Sequence, residues 1–361
     1  MKPLDVLYLR SKWALPLLLG TSLYATHANA QSSVTLYGIV DNSLEYLSNV
    51  SSSKGQNHSL LHMAAGSQDA NRFGFRGVEN LGGGMKAIMV LEAGFNVNTG
   101  QSQQNGRLFG RQAYVGLKGS FGTVTLGRQR TLIYDYGLSV DPLSYYSYAL
   151  ASIDSAYVGR VDNSIKYAKE IGNFNVSGIF STGYDATITN GAQVPGAFRI
   201  GKEYSVGVGY NAGAFNSSVV FDQRQGTSIA TQGNTERRVS FGAAYVIGKF
   251  KPFFNYEWYN SSIPATARRY DLYSAGLQYH ATPALSFSGS LFWENVTSAN
   301  QRPYIVAGNV DYLLSKRTHL FAEAGFARNT NGSKQGLTGY GTEIVPGSNQ
   351  LGVAVGLAHF F

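Results

Sequence analysis

The chain closes on QLGVAVGLAHFF, beginning at Gln350. Leu351, Val353, Val355, Leu357, His359 and Phe361 fall on one parity, and Gly352, Ala354, Gly356 and Ala358 on the other. Side chains alternate across a strand, so this segment has one apolar face and ends on an aromatic. A free apolar edge invites aggregation, whereas a closed membrane barrel ends by pairing its last strand with its first. That single segment already favours a barrel over an open sheet.

The other end reads as an export signal. Lys2, Arg10 and Lys12 give a positive start, Trp13 to Ala25 an apolar middle, and Ala28-Asn29-Ala30 a small-residue cleavage site. The apolar stretch is interrupted by Pro16 and Gly20 and is shorter than the roughly 20 residues a spanning helix needs. The expected organisation is therefore a signal peptide over residues 1–30 and one barrel over 31–361. Cysteine is absent, so an exported chain must be held by backbone pairing and packing. Losing Lys2, Arg10, Lys12 and Asp5 lowers the formal net charge from +8 to +6. The remaining cations are dispersed along strands and form no nucleic-acid patch, which points to a charged lining.

Period-two alternation recurs along the chain. In VTLYGIVDNSLEY, Val34, Leu36, Gly38 and Val40 share one face, while Thr35, Tyr37, Asp41 and Glu45 share the other. RVDNSIKY places Arg160, Asp162, Ser164 and Lys166 together, opposite Val161, Ile165 and Tyr167. KAIMVLEAGF and LSFSGSLFWE show the same separation. Tight turns, as at residues 80–84, 118–122 and 170–173, alternate with longer polar segments at 48–71, 96–107, 182–202, 223–236, 260–268 and 329–350. Short turns on one rim, long loops on the other and about 16 strands of roughly 9 to 11 residues describe a transmembrane barrel. A soluble sandwich would alternate too, but its apolar face would lack the Tyr, Phe and Trp concentrated near strand ends.

Several blocks resemble the general porins of Gram-negative bacteria, in particular the trimeric β-proteobacterial type. They are SSVTLYGIVDNSLEY, NRFGFRGVENLGGGMKAIMVLEAGF, RLFGRQAYVGLKGSFGTVTLGRQ, YVGRVDNSIKYAKEIGNF, DYLLSKRTHLFAEAGF and VGLAHFF, and they span essentially the whole exported chain. The resemblance implies an all-β, 16-stranded antiparallel transmembrane barrel with an infolded constriction loop, here residues 131–159. It implies a homotrimer in the outer membrane, in contact with lipid and lipopolysaccharide, that passes small hydrophilic solutes and ions. Arg72, Arg111 and Arg160, with Arg76, Arg128 and Lys166 as neighbours, match the family's basic wall. Asp135, Asp141 and Asp154 are the acids of the loop. The chain lacks the PEFGGD-like acidic segment of enterobacterial relatives, which leaves open which of these aspartates faces the ion path. Gly356, His359 and Phe361 resemble the signal read by the outer-membrane assembly machinery. Alternation supports the inward direction of Arg72 and Arg160 independently, because a charge on the lipid face costs about 2 to 4 kcal/mol at the midplane.

No catalytic, cofactor or metal constellation stands out. His58 and His62 form a close pair without a matching carboxylate or cysteine spacing, and LGGG at 81–84 lacks the helix and lysine of a phosphate cradle. No G-x-S-x-G elbow occurs. The expectation is a passive, mildly anion-selective channel, with no enzyme activity, cofactor or nucleic-acid partner. The competing readings are a plugged or adhesive surface barrel and a barrel enzyme.

Overall fold

The computed structural model describes residues 32–143, 146–185, 193–338 and 343–361; the expected signal peptide lies outside them. In chain order the elements are β1 (Ser33–Ser51), β2 (Asn57–Ala65), β3 (Arg72–Gly82), β4 (Met85–Gly94), β5 (Gln112–Gly119), β6 (Gly122–Arg130), the helix α1 (Leu132–Gly137), β7 (Arg160–Ile171), β8 (Phe174–Ser181) and β9 (Glu203–Ala212). They continue with β10 (Phe215–Gln225), β11 (Thr235–Tyr245), β12 (Phe250–Ser261), β13 (Arg268–His280), β14 (Leu285–Val296), β15 (Tyr304–Ser315), β16 (Thr318–Arg328) and β17 (Gln350–Phe360). Sequential neighbours from β3 to β17 pair antiparallel, and β17 returns to β1 with Ile39 facing Phe360 and Leu47 facing Gly352. Phe361 and Gly38 exchange two backbone hydrogen bonds of 3.0 Å, so the final aromatic seals the ring.

The seventeen segments make sixteen staves. β2 and β3 lie end to end along one edge of β1, with Asn42 facing Ala65 and Ile39 facing Arg72. Residues 66–71 interrupt that stave. Asp41 accounts for the interruption: its carboxylate accepts the backbone N–H groups of Ser67, Gln68 and Asp69 at 3.0, 2.9 and 2.7 Å. Asn71 adds to it, accepting from the Asp41 N–H at 2.6 Å and donating to its carbonyl at 2.9 Å. Backbone groups that leave the ladder are thereby satisfied inside the protein, as a membrane wall requires.

The parity separation holds through most of the wall. Leu36, Leu44 and Val355 are more than half exposed on the outside, while Asp41, Glu45 and Ala354 beside them are buried inside. Two expectations need correction. Residues 48–71 are not a loop: β1 runs on to Ser51 and pairs with β2, Val50 facing His58, so only a short tip connects them. Ser, Asn and His around the tip, on both faces of the hairpin, disguised it. Val161 does not share the outer face of Ile165 and Tyr167, which are exposed; it is fully buried. Between them the β6–β7 register shifts, and Asn163 takes a left-handed φ of 49°. This bulge reverses the alternation.

Candidate functional site

The segment between β6 and β7 folds inward and crosses the lumen. Thr131 caps α1 by accepting from the Tyr134 N–H at 3.2 Å. From there the loop follows the inner face of the later strands. The Tyr136 hydroxyl donates to Asn175 and Ser177 on β8 and lies over Gly207 and Gly209 of β9. Val140 sits on Gly242 of β11, Pro142 on Gly276 of β13, and Tyr148 between Gly325 of β16 and Gly352 of β17. A Cβ on Gly242 would come within 2.4 Å of Val140, so the glycines are what permit this contact. The loop turns at the β1 wall, where Tyr148 donates to Glu45 at 2.7 Å, and the Ser147 N–H donates to the Ser67 carbonyl at 2.8 Å. It returns through Asp154 and Tyr157 to β7.

Leu132, Ile133, Leu143, Leu150 and Tyr157 of the loop pack with Leu47, Val220, Leu272, Phe292 and Ile305 of the wall as one hydrophobic cluster. A barrel of sixteen strands has no core of its own; the loop supplies one on this side.

Beneath the loop lie Glu203, Asp222, Glu236, Glu257, Glu294, Glu323 and Glu45, all buried on the inner face. Their cationic partners are fewer. Arg224 meets Glu203 at 2.7 Å, Arg238 meets Glu236 at 2.5 Å, and Arg268 meets Glu294 at 2.6 Å. Asp154 of the loop joins this group: Arg238 Nε donates to it at 2.7 Å and the Tyr270 hydroxyl at 2.6 Å. Burial alone would raise the Asp154 carboxyl, but Arg238 and its hydrogen bonds outweigh that and hold it below the usual carboxylate range. Among the described residues Asp141 meets no cation. It accepts the N–H groups of Leu143 and Leu150 at 2.9 and 3.0 Å, tying the loop to itself, and burial raises its carboxyl to about 6 despite those bonds.

The opposite arc stays open. A cavity of about 390 Å³ on the short-turn side is lined by Arg72, Arg76, Arg130, Lys166, Glu92, Asp135 and Gln129. A larger one of about 710 Å³ toward the long loops is lined by Arg111, Arg160, Tyr134, Glu45 and His62. Tyr134 stands between them, with the Arg130 guanidinium 4.7 Å and that of Arg160 5.5 Å from its ring centre. Burial pushes the Tyr134 phenol up, and Arg130, Arg111, Arg160 and Arg72 together pull it below its ordinary value.

The structure thus brings Arg72, Arg76, Arg111, Arg160 and Lys166 to one open arc. Arg72 pairs with Asp69, Lys166 with Asp135, and Arg111 donates to Glu92 at 2.8 Å. Arg128 is placed elsewhere: with Arg107 it binds Asp162 at the external end of the stave, at 2.5 Å and 3.1 Å. Of the loop acids, Asp135 lines the open cavity, while Asp141 and Asp154 are buried away from it. Gly356 lacks the Cβ that would strike the Phe321 ring at 2.4 Å, and His359 lies 3.0 Å from the Thr318 hydroxyl.

Sequence reasoning missed Arg130, Tyr134, Glu92 and the acidic arc. Arg130 stood next to a readable signal, the shared parity of Arg128 and Arg130, but the shift at Gly127, with φ 134°, sends them different ways.

A sixteen-stave barrel whose lumen is half filled by its own loop defines a class of pore-forming wall proteins. The Gram-negative porin family model matches residues 15–332. An outer membrane porin protein of Bordetella pertussis is 30% identical over 365 residues, covering 85% of this chain and 91% of that one. Among solved structures, the anion-selective porin from Comamonas acidovorans superposes with a TM-score of 0.78 at 24% identity, over 92% of this chain and 100% of that one. The trimer form of Vibrio cholerae OmpT superposes with a TM-score of 0.64 at 15% identity, over 91% and 99%. The chain belongs to the Gram-negative porins, and its place is the outer membrane.

Proposed function

We propose that the protein is a passive diffusion channel for small hydrophilic solutes with a mild preference for anions, without catalysis or cofactor. One observation carries the preference. The loop buries the acidic arc and leaves Arg76, Arg130, Arg160 and Lys166 in contact with the lumen, with Arg72 and Arg111 buried in the wall of the same cavities. A solute in the open cavities meets clustered guanidinium groups on one side, and a confined charged wall favours counter-ions. The name of the Comamonas porin supports the same sign. Asp135 faces Lys166 there and sets a local transverse field. We further read the chain as a homotrimer, as the Vibrio relative's trimer form suggests. Its signal peptide is removed on export, and the Gly356, His359 and Phe361 strand serves assembly. The test is the reversal potential of the purified protein across a planar bilayer in a salt gradient, compared with Arg160→Ala. Anion preference that falls in the variant supports the reading; clear cation selectivity in the parent overturns it, and absence of steady conductance would favour a plugged barrel.

A further inference from the structure

The connection between β4 and β5 carries polar groups that a preference for anions leaves unused. Residues 96–105 read NVNTGQSQQN, and Asn96, Gln103, Gln104 and Asn105 all line the cavity of about 710 Å³ on the long-loop side. Gln104 and Asn105 take left-handed φ values of 53° and 62°, and Gly106 follows at 75°. Such a run is costly for residues with a Cβ, and local strain of this kind is kept where a surface has to hold one shape. The Gln104 side chain lies against Gly94 and Gly110, where an added Cβ would come within 2.3 Å of Gln104 Oε1 and 2.6 Å of Gln104 Cβ. Two glycines thus make room for one amide.

Among the described residues no hydrogen bond holds the side-chain amides of Gln103, Gln104 or Asn105, and Gln104 Oε1 is buried without a partner. The same cavity is lined by Arg111 and Arg160. Arg111 donates its Nε to Glu92 at 2.8 Å, while its Nη2 is buried with no acceptor. Arg160 donates to the Val158 carbonyl at 2.8 Å and lies over the Tyr134 ring. Ala64, Ala70 and Val158 add a small apolar surface on which the C–H face of a ring can rest.

A guanidinium asks for an oxyanion. A carboxamide carries a donor and an acceptor side by side, so it matches a group that is both, the hydroxyl. Three unbonded amides beside two guanidinium groups therefore describe a solute with several hydroxyls and one acidic end. An inorganic anion would leave the amides unused, and a neutral sugar would leave Arg111 Nη2 unpaired. The volume is that of an ordinary small-molecule site. We propose that this cavity is a binding station for acidic monosaccharides, with a hexuronate as the type, held at the outer mouth before passage beside Tyr134. The inference rests on the anion preference proposed above and adds a solute class to it.

The test uses the purified full barrel in planar bilayers, with galacturonate, galactose or acetate added on the long-loop side. It reads the concentration at which each solute half-saturates its interruption of the single-channel current. In the parent, galacturonate is expected to act at a concentration roughly tenfold below that of galactose or acetate. Gln104→Gly/Asn105→Gly removes two amides and suits the left-handed backbone; galacturonate should then need about tenfold more and approach acetate. Arg160→Gln should weaken galacturonate and acetate together. Should the glycine variant fail to fold, Gln103→Met, which keeps the size and loses the amide, is expected to cost galacturonate about threefold. Galacturonate acting no more tightly than acetate or galactose in the parent, or as tightly in these variants as in the parent, overturns the proposal. The reversal potential in chloride is recorded in the same membranes. Anion preference without discrimination for galacturonate removes the solute class alone, whereas cation selectivity removes the reading beneath it.

Discussion

The two halves of the inner wall are built from the same strand geometry and differ in what the infolded loop does to them. On the later strands it lies down, excludes solvent and buries Glu203, Glu236, Glu257 and Glu294 with too few cations to balance them. On the earlier strands it stands off, and Arg76, Arg130 and Arg160 keep contact with open volume. The halves show that a wall's charge matters to a solute only where the wall is wet. Carboxylates beneath the loop are held by hydrogen bonds and ion pairs away from open volume; the cations beside it, though several are paired as well, line the cavities that a solute enters.

That contrast breaks most completely if the loop lifts. Asp154→Ala removes the partner of Arg238 and Tyr270 from a buried site, a loss of about 3 to 5 kcal/mol for such pairs. The return limb should detach and expose the acidic arc, so conductance rises and the reversal potential moves to or past zero selectivity. A larger conductance at unchanged anion preference would show that the loop does not mask the acids. Next in size, Arg72→Ala and Arg160→Ala each remove one charge from the open arc. At about 1 kcal/mol for a charge a few ångströms from a hydrated ion, each should lower the anion-to-cation ratio roughly fivefold. Arg128→Ala, bound to Asp162 at the external end, should barely move it.

Asp141 sharpens the comparison through pH. Its carboxyl stands at about 6 when the loop is seated and near 3.8 when free, so the seated state binds more protons between those values. The stability of seating therefore falls as pH rises, by about 3 kcal/mol in total, and levels off above pH 6 to 7. Asp154, held low by Arg238, stays ionised across this range. Current fluctuations in single channels should grow from pH 4 to pH 7 in the parent and stay flat in Asp141→Asn; quieter traces at pH 7 would contradict the sign. A small effect is likewise expected for Tyr134→Phe. It keeps the ring over which Arg130 and Arg160 lie and removes only the phenol, so selectivity should change less than about twofold.

The barrel was legible because alternation is a property of neighbouring residues, and Leu36 beside Tyr37 or Phe287 beside Ser288 carries it without further context. Alternation also argues for an inward Arg72, whereas Arg111 rests on the resemblance alone and the support for Arg160 leans on an outward Val161 that is in fact buried. What failed were places where local order departs from that period. The shift at Gly127 separates Arg128 from Arg130, and the bulge at Asn163 buries Val161. The loop aspartates posed a different problem. Asp135, Asp141 and Asp154 are alike in sequence, yet one lines the cavity, one ties the loop to itself and one binds the far wall. Their roles depend on where the loop rests, which no spacing within it encodes. The β1–β2 hairpin hides for a third reason, since the polar residues at its tip, Ser51 to His58, carry no apolar stripe and read as a turn that continues into the strands.

The interrupted stave of β2 and β3 has a mechanical consequence. Residues 66–71 are gripped by Asp41 from the wall and, through the Ser67 carbonyl and Gln68, hold Ser147 and Tyr146 of the loop. Lateral pressure that shears β1 against its neighbour is therefore passed straight to the throat. In this barrel the break in the cylinder's wall and the infolded loop are one linkage, and the bilayer can lean on the aperture.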